Sequence, residues 1–567
     1  MRRVIHSTSW VCVVAMVPAL AALPGCSKAM RDSAAPAAEQ AAAGGRSPRV
    51  ERFDAEEKRS ADMPSPIAAP PASVAAAPKP TEPSPRPAAP PPPPAQAQGA
   101  TIAEPAAEPV GTEQYKDYGV NPVTDPRRDR FSTFAVDVDT ASYSIARRKL
   151  REGTMPTYAA VRAEEFVNSF SYRYAPPSRG VFAVHTEAAP SPFARGHHLV
   201  RVALQTKRMT AEERRPVHLV YLVDVSGSMM APDRIELAKK SLKMLTQTLK
   251  PGDTVALCTY AGAVREVLPP TGIAQVGRIL SAIDSLTAGG STAMSSGIQL
   301  AYDLASRTRV PGHVNHVVVL SDGDANVGNT SHQDILKTIE RYRDQGITLS
   351  TVGFGSGNYK DEMMEQLADK GDGNYTYIDS ESQARRVFTE QVDGLLQTVA
   401  RDVKIQVEFN PNAVKTYRLI GYENRDVADK DFRNDKVDGG EVGAGHSVTA
   451  LYDVVFAKQD ASPLTVRIRY KAPTGNAPAT EEATVMPVAA IVPTFESASP
   501  DFRFAASVGT FAEVLRKSPH ARDVPLPLIA SFAEAAVDGF AERRELVELV
   551  RRADRLAKGE SVASMAR

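Results

Sequence analysis

Cysteine is nearly missing from this chain: 567 residues carry three, Cys12, Cys26 and Cys258. Cys258 sits in the strand-like run 254–260 and reads as a small buried core residue. Cys12 falls in the leader and would be discarded with it, so once Cys26 is modified Cys258 stands alone and no disulfide is expected within the mature chain. An excess of one charge is missing too. The 67 basic residues are matched by 67 acidic ones, which argues against the basic footprint of a nucleic-acid binder. There is no H-E-x-x-H, no G-x-S-x-G, no Walker loop and no C-x-x-C, so the common signatures of hydrolytic, nucleotide-binding and redox sites are missing. No repeat recurs at a solenoid period. Between about 27 and 109 large apolar residues are almost absent, while Ala, Pro and Glu abound and residues 90–94 are all proline. Such a segment cannot bury enough surface to offset its ordering entropy. It reads as a polyproline-rich tether over 26–110, reaching at most ~250 Å at ~3.1 Å per residue.

Long apolar runs are scarce as well. The one near the start, 10–23, follows Arg2 and Arg3 and is too short to span a bilayer, but it has the form of a signal-peptide core. It ends Leu23-Pro24-Gly25-Cys26, which resembles the lipobox of bacterial lipoproteins. That resemblance implies a signal peptide over 1–25, cleavage before Cys26 and lipidation of Cys26, hence a protein anchored to a membrane through lipid. Ser27 is not Asp, which by the enteric sorting rule directs the protein to the outer membrane, facing the periplasm. The alternative is an ordinary secretory signal with a chance cysteine.

What is present begins at residue 111. Over 111–207, strand-like patterns at 131–139, 181–186 and 198–205 surround helical ones at 140–152 and 160–170. Over 215–400 strand and helix alternate, the mark of an α/β doubly wound, mostly parallel sheet with helices on both faces. Ile235, Ala238, Leu242, Leu245 and Leu249 recur at helical spacing. Further helices are expected at 276–286, 292–307, 333–345, 361–370 and 382–399. Strands are expected at 217–223, 254–260, 316–320, 348–352 and 374–378. From 401 to 567 short strands give way, after Pro500, to helices. The strands on either side of the core, 178–206 and 402–487, are expected to pair into a β-rich, sandwich-like region, followed by a C-terminal helical segment.

The chemistry concentrates at strand ends. The apolar run 217–223 stops at Asp224-Val225-Ser226-Gly227-Ser228, putting one carboxylate and two hydroxyls on one loop. Thr292 precedes a helix, and Asp322 ends a second apolar run, 317–320, followed by Ser321. Oxygen donors of few formal charges suit a hard divalent cation, Mg2+ before Mn2+ or Ca2+. Ligands of such sheets bind outside the carboxyl ends of the strands. By itself D-x-S-x-S also fits an Asx/Ser turn. The full set, Asp224, Ser226, Ser228, Thr292 and Asp322, resembles the metal-ion-dependent adhesion site (MIDAS) of von Willebrand factor type A (VWA) domains. The resemblance implies hydroxyl ligation by Ser226, Ser228 and Thr292, with Asp224 and Asp322 bound directly or through water. One coordination position would be left for an Asp or Glu carboxylate of a partner protein. The phrases at 134–144 and 445–453 resemble those of a bacterial VWA lipoprotein family.

Four other features carry less. Asp137-x-Asp139-x-x-Ser142-x-Ser144 echoes a metal motif, but its spacing fits none, and Asp139 or Thr140 reads as a helix N-cap. Gly353-Phe354-Gly355-Ser356-Gly357 lacks phosphate-loop spacing and reads as a strand-end turn. His197, His198, His313 and His316 read as structural or solvated. Asp324 reads as a loop-stabilising turn residue. The expectation is a non-catalytic, metal-dependent protein-binding module in the cell envelope. A scaffold whose metal braces loops, and a metal-dependent hydrolase, are the alternatives.

Overall fold

Two runs, 217–223 and 317–320, are apolar but for His218, and a strand can bury both faces only at the centre of a helix-covered sheet. The structure, a computed structural model describing residues 113, 115–307, 309–323, 332–355, 360–475 and 477–560, places them there. All described residues belong to one compact unit. The signal sequence, Cys26, the tether and Asp324 lie outside the described residues.

Three strands and two α-helices precede the central sheet: β1 (Phe131–Ala135), α1 (Ala141–Arg151), α2 (Ala163–Asn168), β2 (Phe182–Pro190) and β3 (His198–Thr206). Six build it: β4 (Val217–Asp224), β5 (Thr254–Tyr260), β6 (Val264–Gly272), β7 (Val314–Ser321), β8 (Ile347–Phe354) and β9 (Tyr375–Ile378). Their order is β6-β5-β4-β7-β8-β9, all parallel except the β6 edge. This is the 3-2-1-4-5-6 order of a doubly wound sheet, whose switch point falls between its first and fourth strands, here β4 and β7. Alternate residues of β4 serve opposite cores. Leu219, Tyr221 and Val223 face α3 (Ile235–Thr248) and α4 (Val276–Asp284). Val220 and Leu222 face α5 (Met294–Arg307), α6 (His332–Arg343) and α7 (Asp361–Lys370). Cys258 is buried among the second set, as expected.

Beyond the sheet, β10 (Thr398–Phe409), β11 (Val414–Ile420), β12 (Gly440–Gly443), β13 (Ser447–Phe456), β14 (Leu464–Lys471) and β15 (Thr480–Val485) join the early strands. One sheet runs β1-β10-β14-β15, with β12 also on β10; the other runs β11-β13-β3-β2. Their inner faces share one apolar core, so the sandwich draws on both sides of the chain, as the sequence patterns suggest. A last core collects the C-terminal helices Pro500–Leu515, Leu526–Glu534 and Ala541–Ala557 with the early helix Ala163–Asn168.

Three local readings change. The edge strand β6 is missed because it carries Pro269 and Pro270, residues that a sheet accepts only at its border. The helix expected over 382–399 breaks into Glu381–Arg385, a π-turn at Arg386–Glu390 and Val392–Leu396, and the chain is already strand at Thr398. The last of these pieces packs closely on β12: a Cβ on Gly443 would stand 1.7 Å from the Gly394 carbonyl. Finally, Thr140 does stand at the N-cap position of the helix Ala141–Arg151, but its side chain makes no capping hydrogen bond. Asp139 is buried, accepting from the Tyr375 amide at 2.8 Å and pairing with Arg425 at 3.1 Å. The first-turn amide of Ser142 is instead satisfied by Glu165, 2.8 Å away on another helix.

Candidate metal centre

The sheet delivers Asp224 and Asp322 to neighbouring points because β4 and β7 are parallel and in register, Val223 beside Leu320. Asp224 is fully buried. Its Oδ1 accepts from the Ser226 amide at 2.8 Å, so the Asx turn is present. Its Oδ2 accepts from the Ser321 hydroxyl at 2.9 Å, tying the ends of β4 and β7 together. Burial raises the Asp224 carboxyl pKa above its ordinary value, the Ser226 hydrogen bonds oppose that, and the Asp322 charge adds to it.

The hydroxyls of Ser226 and Ser228 are hydrogen-bonded to each other, 3.0 Å apart. Adjacent oxygens around an octahedral Mg2+ with bonds of about 2.0–2.1 Å lie about 2.9–3.0 Å apart, whereas the longer bonds of Ca2+ spread them further. The donor set is therefore of the right chemistry and, for this pair, of the right spacing. Thr292 is half-buried on the loop before α5. That loop is clipped to the serine loop by two backbone hydrogen bonds, Gly227 N–H to Gly290 O at 2.9 Å and Gly289 N–H to Val225 O at 2.7 Å. Three loops thus converge on one end of the sheet at its switch point. Among the described residues no group of three or more His, Cys, Asp or Glu side chains is disposed to hold a metal; this centre, with two carboxylates and three hydroxyls, is of a different kind.

Two participants escape the sequence reading. Ser321 has a signal in retrospect, as a hydroxyl at the last position of a buried strand. Arg234 has none beyond being the basic residue between Ser228 and α3. Its Nη1 donates to Asp322 Oδ2 at 2.7 Å and to the Ser228 carbonyl at 2.5 Å.

The site's residues lie inside a sequence profile of the von Willebrand factor type A domain, which matches residues 218–391. A profile described as von Willebrand factor matches 109–201, and one described as Uncharacterized protein YfbK, C-terminal, matches 394–464 and 457–556. "Uncharacterized protein YfbK" of Escherichia coli (strain K12) is 36% identical over 490 residues, 81% of this chain and 83% of the relative. The chain belongs to the YfbK family of VWA-domain proteins. In this chain the VWA domain lies between the segments that match the other two profiles. "Uncharacterized protein sll0103" of Synechocystis is 25% identical over 232 residues, 40% of this chain and 54% of that protein. A solved von Willebrand factor type A structure from Catenulispora acidiphila aligns over 65% of this chain and 89% of its own, with 16% identity and a TM-score of 0.41. VWA domains generally mediate protein–protein interaction.

His218 and His316 do not belong to the site. Both are buried near the opposite ends of β4 and β7, with Nδ1 hydrogen-bonded at 2.6 Å to Thr254 and Thr348 respectively. Burial holds each near pKa 4, which keeps the rings neutral.

Proposed function

We propose that this protein is an envelope-anchored, divalent-metal-dependent protein-binding module, with Asp224, Ser226, Ser228, Thr292 and Asp322 holding the ion and Cys26 holding the lipid. Bound there, the ion supplies a Lewis-acidic position that a partner's Asp or Glu carboxylate completes. The observation that carries the reading is the pair of serine hydroxyls at Mg2+ spacing on the switch-point loop. Met230, two residues beyond Ser228, is 68% exposed. A flexible thioether at the rim of a polar site suits a protein partner.

The loop-bracing alternative is weakened by the Gly227–Gly290 and Gly289–Val225 clips, which already fasten the loops through protein atoms alone. Titration calorimetry checks the ion: Asp224→Ala is expected to lose Mg2+ binding while its circular dichroism stays that of the wild type. Unchanged Mg2+ affinity in that variant rejects the site. The partner is sought by pull-down from envelope extract with residues 111–567 in Mg2+, in EDTA, and with Asp322→Ala. A partner retained equally under all three conditions moves the binding surface to the flanks.

A further inference from the structure

Arg234 stands outside the D-x-S-x-S, Thr and Asp set, yet it joins two of that set's residues. The Asp322 side chain it meets is 2% exposed, and its own is 18% exposed. Its stem rests against a seat that only glycine leaves open. Gly355, just past β8, has φ +75°, and a Cβ there would stand 2.3 Å from Arg234 Nε, 2.6 Å from Cγ and 2.8 Å from Cδ. Ion pair, carbonyl contact and glycine seat together define one position for the guanidinium.

We propose that Arg234 is a tethered cation of the metal centre: it holds Asp322 when no divalent ion is bound and gives it up when one arrives. This rests on the metal-dependent reading above. A carboxylate as buried as Asp322 needs a counter-charge. The guanidinium supplies one positive charge and directed N–H donors. A divalent ion supplies two, and both cations cannot face the same buried carboxylate without strong, weakly screened repulsion. Metal uptake therefore competes with Arg234, and the apparent affinity is lowered by the fraction of molecules in which the arginine is seated. Arg234 immediately precedes α3 and closes the loop that carries Ser226, Ser228 and Met230. Its departure from Asp322 is thereby linked to the placement of the rim a partner would meet.

The test is Mg2+ titration calorimetry and thermal melting of the full chain as wild type, Asp224→Ala, Arg234→Gln, Arg234→Lys and Gly355→Ala. Arg234→Gln is expected to bind Mg2+ at least tenfold more tightly than wild type, to melt lower without metal and to gain more from adding it. Arg234→Lys, which keeps the charge but not the fork, falls between. Gly355→Ala unseats the arginine without removing it and also tightens Mg2+ binding, so it carries the test if Arg234→Gln does not fold. If Arg234→Gln and Gly355→Ala bind Mg2+ no more tightly than wild type while Asp224→Ala loses it, the tethered-cation role is wrong and the metal site stands. If neither wild type nor Arg234→Gln binds Mg2+, both readings fail.

Discussion

Asp224 commits both carboxylate oxygens to protein donors before any ion is considered, tying the Ser226 turn to Ser321 at the end of β7. The five candidate ligands were legible because each sits at a strand or helix end, where sequence pattern and chemistry coincide. Arg234 was not, because nothing local says that a loop arginine will fold back onto a carboxylate 88 residues away. Met230 follows from exposure: Met230→Ser should weaken partner capture in Mg2+ several-fold while leaving Mg2+ affinity unchanged, and an unchanged capture curve would remove it from the rim. Glu164 illustrates the opposite case, a charge the fold discourages. It is buried, and burial first, then the Glu423 and Asp137 charges, push its carboxyl up to about 7 from 4.5. The folded chain thus keeps a proton that the unfolded chain releases. Its stabilising contribution is complete below about pH 4.5 and is lost as pH rises towards and past 7, on the order of 3 kcal/mol at most. Glu164→Gln should flatten the fall of melting temperature between pH 5 and pH 8; an equally steep fall in the variant would assign it to other groups.

At the scale of elements, parallel β4 and β7 do most to make the site, since their register sets Asp224 beside Ser321. Helix α5 reinforces the same end of the sheet. Gly297 lies against Tyr260, the β5 residue whose carbonyl accepts from Val225 N–H at 3.0 Å. Alanine is ordinarily the better helix former by about 1 kcal/mol. A Cβ at 297 would, however, stand 2.8 Å from Tyr260 Cβ and 2.9 Å from its Cγ. Overpacking of this kind costs about 1–3 kcal/mol, so Gly297→Ala should lower the urea midpoint despite its helix propensity. A raised midpoint would mean the helix shifts freely. Periodicity located most helices to within a few residues, because an amphipathic stripe is written locally. Over 382–399 it found the helical segments but not the π-turn and break between them, nor the start of β10 at Thr398.

Across the whole molecule, charge fastens what hydrophobic packing brings together. Arg425, from the C-terminal flank, reaches Asp139 at 3.1 Å and Asp137 at 3.5 Å on the N-terminal flank. It also reaches Asp369 at 2.9 Å and Glu365 at 3.7 Å on α7 of the VWA domain. Arg162 repeats the pattern with Glu165 and, at 2.7 Å, Asp361. Removing one member of such a buried network strands the others, at a cost of about 3–5 kcal/mol. Arg425→Ala should therefore lower the free energy of global unfolding by that amount, read from the fluorescence-monitored urea transition; a loss below about 1 kcal/mol would show that water replaces it.

The sequence by itself determined the VWA core, the strand ends that carry Asp224 and Asp322, and the β-rich and helical character of the flanks, since these follow from periodicity and from short motifs. Only the tertiary structure decided that β1 pairs with β10 and β3 with β13, that Asp139 faces Arg425 instead of capping a helix, and that Arg234 closes on Asp322. Each of these joins residues tens to hundreds of positions apart. Pairing over such separations is chosen by the shared core and by the cost of leaving a buried charge alone, and no local pattern records either.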